Sequence, residues 1–421
     1  MGVFNWACAR CKKIVRALGP GLIAGAADDD PAGVVTYTIA GAQHGHQLLY
    51  TAFLTWPLMA GVQMMCARIG MVTGTGLIGA LRTKFPRSLI LIASLALFAA
   101  NTLNIGANLS GMADAAELLT SFDSKIFVFL FAVTVGILTV RIPYHRLSKW
   151  FKWLTLFLLA YVACALLVVK DWKPVWAALF HPTLPTDKQT VATLVAILGT
   201  TISPYLFFWQ ASQEVEEEKS DGRAKKRDRI GATESEISER RWDVGFGTFF
   251  SNLVMFFIIL TSSTVLHAAG KTDIESSREA AEALQPLGSM AAFLYSIGII
   301  GVGFLAIPTL SASAGYALAE TFHWKQGLAK RLTKARKFYT VILISTALGV
   351  LVDVFQINPI KALFWSGILN GMLAPFLLAG ILAVACDKKL MHGQCSSMLS
   401  RVVVGVTTVL MTMAALAFFL M

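Results

Sequence analysis

Three consecutive carboxylates, Asp28, Asp29 and Asp30, stand directly before Pro31 in the stretch GLIAGAADDDPAGVVTYTIAGAQ, with apolar sequence on either side. Within a bilayer helix each would cost roughly 2.5–3.5 kcal/mol near the membrane centre. Their presence therefore predicts a site at which a cation offsets the charge. Carboxylate oxygens are hard ligands suited to divalent cations. Pro31 lacks an N–H donor and Ala32-Gly33 loosens the following turn, so the helix is expected to break here. The break frees backbone carbonyls, that of Ala27 among them, as further oxygen ligands. Asp30 is expected to point into the gap. Asp28 and Asp29 differ from it by about 200° and 100° in helical phase, so one of the three is expected to serve a vestibule or cap the second half-helix.

A second interruption repeats the pattern five spans later. The stretch LGTTISPYLFFWQ (Leu198–Gln210) carries Pro204 in mid-span, with Thr200, Thr201 and Ser203 just ahead and Tyr205 just behind. Backbone groups freed by such breaks survive in lipid only where they line a polar cavity. A lone proline kink usually reflects packing. Two broken helices at corresponding places, an odd number of spans apart, are the expected mark of an inverted-repeat transporter with a mid-membrane site.

The elements that must hold these residues are bilayer helices. Of 421 residues 56% are apolar and 14% charged, with mean hydropathy +0.63, where a soluble domain carries about 25% charged residues. Apolar spans are expected near 18–42, 47–70, 88–118, 125–141, 151–169, 190–212, 243–267, 286–318, 338–356, 359–385 and 402–421. They predict an all-α polytopic membrane protein: a first repeat over 18–185, an inverted second repeat over 186–385, and an eleventh helix in 386–421. With the N-terminus inside, 29 of the 36 Lys and Arg fall on the cytoplasmic side, which predicts an inner (plasma) membrane protein with its C-terminus outside. The net charge of +11 is then a topology signal and not a nucleic-acid surface. The mixed run Glu214–Trp242 is expected to be a solvated cytoplasmic loop. No apolar run precedes a cleavage site in the first 20 residues, so the first span is expected to be retained. Cys8 and Cys11 form a CxxC without a second pair and read as reduced thiols rather than a zinc site. No P-loop, nucleophile elbow or HExxH is present, which argues against ATP-driven transport by this chain and against an enzyme.

Over nearly its whole length the sequence resembles the NRAMP family of divalent-metal transporters. DPAG (Asp30–Gly33) occupies the place of the family's Asp-Pro-Gly-Asn. QMMCARIGMVTGTGL (Gln63–Leu77) is similar to its second helix, and NGMLAPFLLAGI (Asn370–Ile381) to its tenth. The resemblance implies an amino-acid-transporter-like (LeuT-type) 5+5 inverted-repeat fold plus one helix. It also implies a metal site drawn from Asp30, Asp29, Asp28, Ala27, Thr200 and Ser203. Gly33, Pro31, Thr201, Pro204, Tyr205, Asn104, Asn108 and Asn370 would line the cavity and pathway.

The departures from the family pattern are informative. Gly33 replaces the family's first-helix Asn. Ser203-Pro204-Tyr205 replaces its Met-Pro-His, removing the thioether that favours softer metals and the imidazole associated with proton movement. Asn108 and Gly111 replace the acids of its third helix. These changes resemble the NRAMP-related branch that carries magnesium without proton coupling, with Gly33 and Ser203 expected to leave room for a partly hydrated ion. Two other readings stand beside that one. The first is a proton-coupled Mn2+/Fe2+ importer with Asp28 or Asp29 as substitute proton acceptor; the second is a non-transporting membrane sensor or scaffold. The cation is substrate and no cofactor is expected; the partners are the ion and the lipid bilayer.

Several other residues carry a chemical reading and a plainer one. His44 and His46 at the outer mouth could capture metal, but histidines at i, i+2 are usually a polar turn. Asn101, Asn104 and Asn108 share a helix face, which suits either interhelical hydrogen bonds or a pathway. Tyr316 and Glu320 read as gate or rim.

Overall fold

The computed structural model describes residues 20–120, 122–142, 146, 153–183, 187–355 and 357–420. Cys8, Cys11, the basic residues of 10–16 and the start of the fifth expected span lie outside the described residues. Every regular element among the described residues is helical. The longer ones are α1 (Pro20–Asp28), α2 (Pro31–His44), α3 (Tyr50–Thr73), α4 (Arg87–Thr120), α5 (Ser124–Arg141), α6 (Leu159–Val168) and α7 (Lys188–Thr201). They continue as α8 (Pro204–Ser220), α9 (Glu234–Ser262), α10 (Ala291–Thr321), α11 (Arg336–Val354), α12 (Pro359–Ala385) and α13 (Met398–Leu420).

Both expected breaks are present. Each second half-helix opens on proline, Pro31 in α2 and Pro204 in α8. At that first helical position the missing N–H is one the helix could not have used. The carbonyl ends of α1 and α7 thus meet the donor ends of α2 and α8 in the middle of the fold, the polarity that discontinuous helices use to hold ions.

Among the described residues seven helical stretches are long and apolar enough to cross a bilayer: Arg87–Thr120, Ser124–Arg141, Lys188–Ser220, Glu234–His267, Ser277–Thr321, Pro359–Ala385 and Met398–Leu420. The other expected spans are the split α1–α2 pair, α3 with its Gln63 and Arg68, the short α6, and α11, whose first turn is charged.

Glycine lets the half-helices approach their neighbours backbone to backbone, the usual way small residues join membrane helices. A Cβ on Gly25 of α1 would lie 2.3 Å from the Gly247 carbonyl oxygen of α9. One on Gly199 of α7 would lie 2.0 Å from the Gly367 oxygen of α12. Gly199→Ala is therefore expected to destabilise the protein by about 1–3 kcal/mol, read as a lowered melting temperature in detergent.

The run Glu214–Trp242 is a solvated loop only in its middle part; its two ends are helical. α8 continues to Ser220, and a capping box of Thr233 and Glu236 starts α9. Arg240 pairs with Glu214 at 2.8 Å, Asp243 at 2.6 Å and Glu217, so these charges neutralise one another, while Lys225, Lys226, Arg227 and Asp228 in the turn face water. The turn between them is held to α3 by Gly231 N–H on the Val72 carbonyl. Elsewhere the plainer readings prevail. His44 is hydrogen-bonded to Thr190 and Thr193 of α7. Asn101 donates to the Leu310 carbonyl of α10. Glu320 accepts from the backbone of Gly76 and Gly79.

A candidate metal site between two broken helices

The helix of α1 ends at Asp28, and the extended backbone of Asp30 (φ −71°, ψ 169°) turns the chain into α2. That geometry separates the three carboxylates. Asp28 and Asp29 face α9, where Ser251 Oγ lies 2.9 Å from Asp28 Oδ2 and 3.1 Å from Asp29 Oδ1. A hydroxyl has one hydrogen to donate, so it can serve only one of the two carboxylates at a time. Asp28 Oδ1 is buried and has no hydrogen-bond partner.

Asp30 turns the other way and is well supplied with donors. Its Oδ1 accepts from Gly33 N–H at 2.8 Å, capping α2. Its Oδ2 accepts from Asn108 Nδ2 at 3.2 Å and Asn104 Nδ2 at 3.5 Å, both on α4. The Ser366 hydroxyl of α12 lies 3.1 Å from Asn104 Oδ1 and 2.7 Å from the Leu363 carbonyl, two acceptors that compete for its one hydrogen. The capping role anticipated for one of the three acids thus falls on Asp30 itself. The positive end of the α2 dipole adds to its stabilisation.

All three aspartates are sealed from solvent, at 0%, 1% and 3% exposure. Among the described residues none of them enters an ion pair with Lys, Arg or His. Buried charge without a partner is strongly unfavourable, so the arrangement is suited to a cation. Among the described residues no three Asp, Glu, His or Cys side chains converge on one point. An ion here therefore draws also on hydroxyl, amide or carbonyl oxygens, or on its own water. Asn108 Oδ1 is a second buried oxygen without a partner.

The α8 side closes the site. Tyr205 donates its phenol hydrogen to the Ala27 carbonyl at 2.8 Å, tying the first turn of α8 to the last of α1. Tyr37 of α2 and Thr201 share a 3.1 Å hydrogen bond. The Thr200 hydroxyl donates to Ala196 and Ile197 carbonyls, and that of Ser203 to Gly199 and Thr200 carbonyls. These two side chains therefore sit at the break but turn to their own helix. Pro204 is buried beside them, and Asn370 is buried on α12. The room expected beside Gly33 is narrow: a Cβ there would meet the Asp28 carbonyl oxygen at 3.3 Å.

Sequence reasoning missed α9. Ser251 contacts two of the carboxylates. Met255, one turn further on, accepts from Thr201 Oγ1 at 3.8 Å and Thr55 Oγ1 at 4.0 Å. Asn252 Oδ1 accepts from Thr55. The available signal was the polar pair Ser251-Asn252 in the middle of an otherwise apolar span.

The model of the natural resistance-associated macrophage protein-like family matches residues 21–421. The chain belongs to the Nramp family. It is 25% identical over 407 residues to a protein of Caldanaerobacter subterraneus subsp. tengcongensis described as the divalent metal cation transporter MntH, covering 93% of this chain and 89% of that one. The manganese transporter of Eremococcus coleocola, solved with an aromatic bis-isothiourea compound, superposes with a TM-score of 0.77 at 16% identity, covering 96% of this chain and 86% of that one. Inward-facing Mhp1 superposes at 0.57 with 16% identity over 95% and 89% of the two chains. MhsT bound to L-phenylalanine does so at 0.60 with 12% identity over 95% and 97%. At these identities the structures speak for the fold, a LeuT-like inverted repeat. As an Nramp protein the chain is a multi-pass membrane transporter of divalent metal, with the metal as cargo rather than cofactor.

Proposed function

We propose that this Nramp protein carries a hard divalent cation, Mg2+ ahead of Mn2+, down its gradient without coupled protons. It would sit in the inner (plasma) membrane with the N-terminus in the cytoplasm and the C-terminus outside. Its two inverted halves span 18–185 and 186–385, followed by the helix in 386–421. The observation that carries the reading is the division of labour among the aspartates. Asp30 is already held by three N–H donors and a helix N-terminus. Asp28 and Asp29 share one hydroxyl. The two donor-poor carboxylates match one divalent ion, while the charge of Asp30 is stabilised by its N–H donors and the α2 dipole, so the reading calls for no additional proton. Asp, Ser, Asn and carbonyl groups supply only oxygen to such an ion, and oxygen-rich sites suit Mg2+.

The proton-coupled transition-metal reading has one observation in its favour, the sulfur of Met255 beside Thr201. Thioether softness selects Mn2+, Fe2+ or Cd2+ over Mg2+. Two variants separate the readings in a competition uptake assay. Ser203→Met should raise Mn2+ and Cd2+ uptake relative to Mg2+ by about tenfold, the scale of one added ligand contact of roughly 1.4 kcal/mol. Met255→Leu should leave Mg2+ uptake within about twofold of the parent. A collapse of Mn2+ uptake in Met255→Leu, with no Mg2+ uptake in the parent, would favour the transition-metal reading.

A further inference from the structure

Two cysteines stand side by side where the chain turns back between α12 and α13. Cys386 directly follows α12 and Cys395 shortly precedes α13, outside both membrane-crossing stretches. Asp387 opens the turn by accepting the N–H groups of Lys389 and Leu390. His392 and Gly393, with φ of 45° and 82°, then reverse the chain over the buried Met391. The reversal brings the two ends of the segment together. Ser396 N–H donates to the Ala385 carbonyl at 3.4 Å, one residue outside each cysteine. Cys395 Sγ lies 3.8 Å from the Cys386 carbonyl oxygen. Adjacent backbones are the condition for a disulfide, whose Cα atoms stand roughly 4.4–6.8 Å apart. Both thiols are free, Cys386 exposed and Cys395 half-buried. The other described cysteines, Cys66 and Cys164, are buried within helices, where a thiol is inert.

The segment between the cysteines is also a strap. Asp387, next to Cys386, pairs at 3.2 Å with Lys84 in the connection from α3 to α4. Gln394, next to Cys395, exchanges two hydrogen bonds with the Ala232 backbone, at 2.9 and 3.0 Å, in the turn between α8 and α9. The Gln394 carbonyl accepts Arg68 Nε of α3 at 3.0 Å. Each cysteine therefore adjoins one anchor, and the two anchors hold different connections. A bond between the cysteines joins those anchors by a short covalent path that bypasses the turn.

We propose that Cys386 and Cys395 are a redox-modification site: they close into a reversible disulfide that slows transport. The oxidant is a small anionic disulfide, suited to the Arg68 guanidinium on the strap and to the exposed Lys388 and Lys389. Cys386 loses its proton to water and attacks one sulfur of the small disulfide, releasing one small thiol. The Cys395 thiolate then attacks the Cys386 sulfur and releases the second. Two protein S–H bonds and one small-molecule S–S bond are lost; one protein S–S bond and two small-molecule S–H bonds form. The chain gives up two electrons and the small disulfide takes them. Alternating access requires packed helices to move against one another, and the closed strap ties the inner ends of α3, α4, α8 and α9 together. In the orientation proposed above the strap is cytoplasmic, where disulfides are transient and regulatory, so the open dithiol is the resting state. The site is independent of which ion is carried.

The test treats the purified full-length chain in detergent with oxidised glutathione, alkylates the remaining thiols and maps the peptides by mass spectrometry. The parent should lose Cys386 and Cys395 as alkylatable thiols and yield one cross-link between them, lighter by two hydrogens. Cys395→Ser should instead carry glutathione on Cys386. Reconstituted after oxidation, the parent should take up its ion, Mg2+ and Mn2+ being followed separately, about tenfold more slowly, the effect of a barrier raised by roughly 1.4 kcal/mol. Dithiothreitol should restore the rate, and Cys395→Ser should keep the reduced parent's rate throughout. Separate glutathione adducts on both cysteines of the parent, or a disulfide between two chains, would overturn the proposal. So would unchanged uptake with the cross-link formed, or equal slowing of Cys395→Ser. The peptide map is read without any ion, so a wrong choice between Mg2+ and Mn2+ leaves it unaffected.

Discussion

Replacing Asp28 and Asp29 together by Asn is expected to abolish divalent-cation uptake and leave the fold intact. The two carboxylates lie on the same Ser251 hydroxyl, 2.9 and 3.1 Å away, and neither has a basic partner among the described residues. In the absence of a cation they repel each other in a low-dielectric setting, so their loss does not remove a stabilising ion pair. Asparagine is close in shape and can hydrogen-bond to Ser251 in their place. Breaking a buried charge pair costs about 2–5 kcal/mol, and two such contacts are lost. Uptake should fall at least ~100-fold, since each 1.4 kcal/mol is a factor of ten. Each single variant should lose at least ~10-fold. Ser251→Ala should lose less, because water can supply the hydroxyl's hydrogen bond. The check is initial uptake in proteoliposomes beside the melting temperature in detergent. Unchanged uptake in both single variants would make the pair structural.

Asp30 should respond differently to its two natural replacements. Asp30→Asn keeps the cap on α2, because Asn and Asp are about equally good at that position. It removes the charge, so uptake is expected to fall about tenfold; its Nδ2 takes the place of Oδ2 opposite the Asn104 and Asn108 amides, so the metal-free melting temperature should fall as well, though less than in Asp30→Ala. Asp30→Ala loses the cap as well, about 1 kcal/mol. It also strips the acceptor from the buried Asn104 and Asn108 amides, at roughly 1–3 kcal/mol for each donor left unsatisfied. That variant should be both inactive and clearly less stable. A thermal shift on adding Mg2+ separates charge from packing: saturation at 100 times Kd adds about 2.7 kcal/mol, and both variants should show a reduced shift. Equal stability of the Ala and Asn variants would contradict the capping role given to Asp30.

Much of the site was legible because its signals are local. A proline in an apolar span marks a break wherever the chain goes. Both breaks fall where Pro31 and Pro204 put them, and the i, i+4 spacing of Asn104 and Asn108 was enough to aim both amides at one partner. What was illegible depends on tertiary approach. Ser251 reaches Asp29 across 222 residues of sequence, and only because α1 can press its Gly25 against Gly247 of α9. The run Glu214–Trp242 reads the same whether its charges are solvated or paired. At the two helix ends Arg240 makes them paired by reaching back 26 residues to Glu214, while the charges of 225–228 stay solvated. Residue type alone also does not show that the Ser203 and Thr200 hydroxyls donate to the carbonyls three and four residues back, as a hydroxyl near a helix end readily does.

The proposed transport depends on the buried Asp28–Asp29 pair taking one divalent ion. The measurement that tests it most directly is Mg2+ uptake into proteoliposomes with lumenal pH recorded in the same experiment and Mn2+ present as competitor. The division of labour among Asp28, Asp29 and Asp30 predicts Mg2+ entry with no acidification of the lumen. Mn2+ entry accompanied by acidification, with no Mg2+ flux, would contradict it and give the aspartate pair to protons.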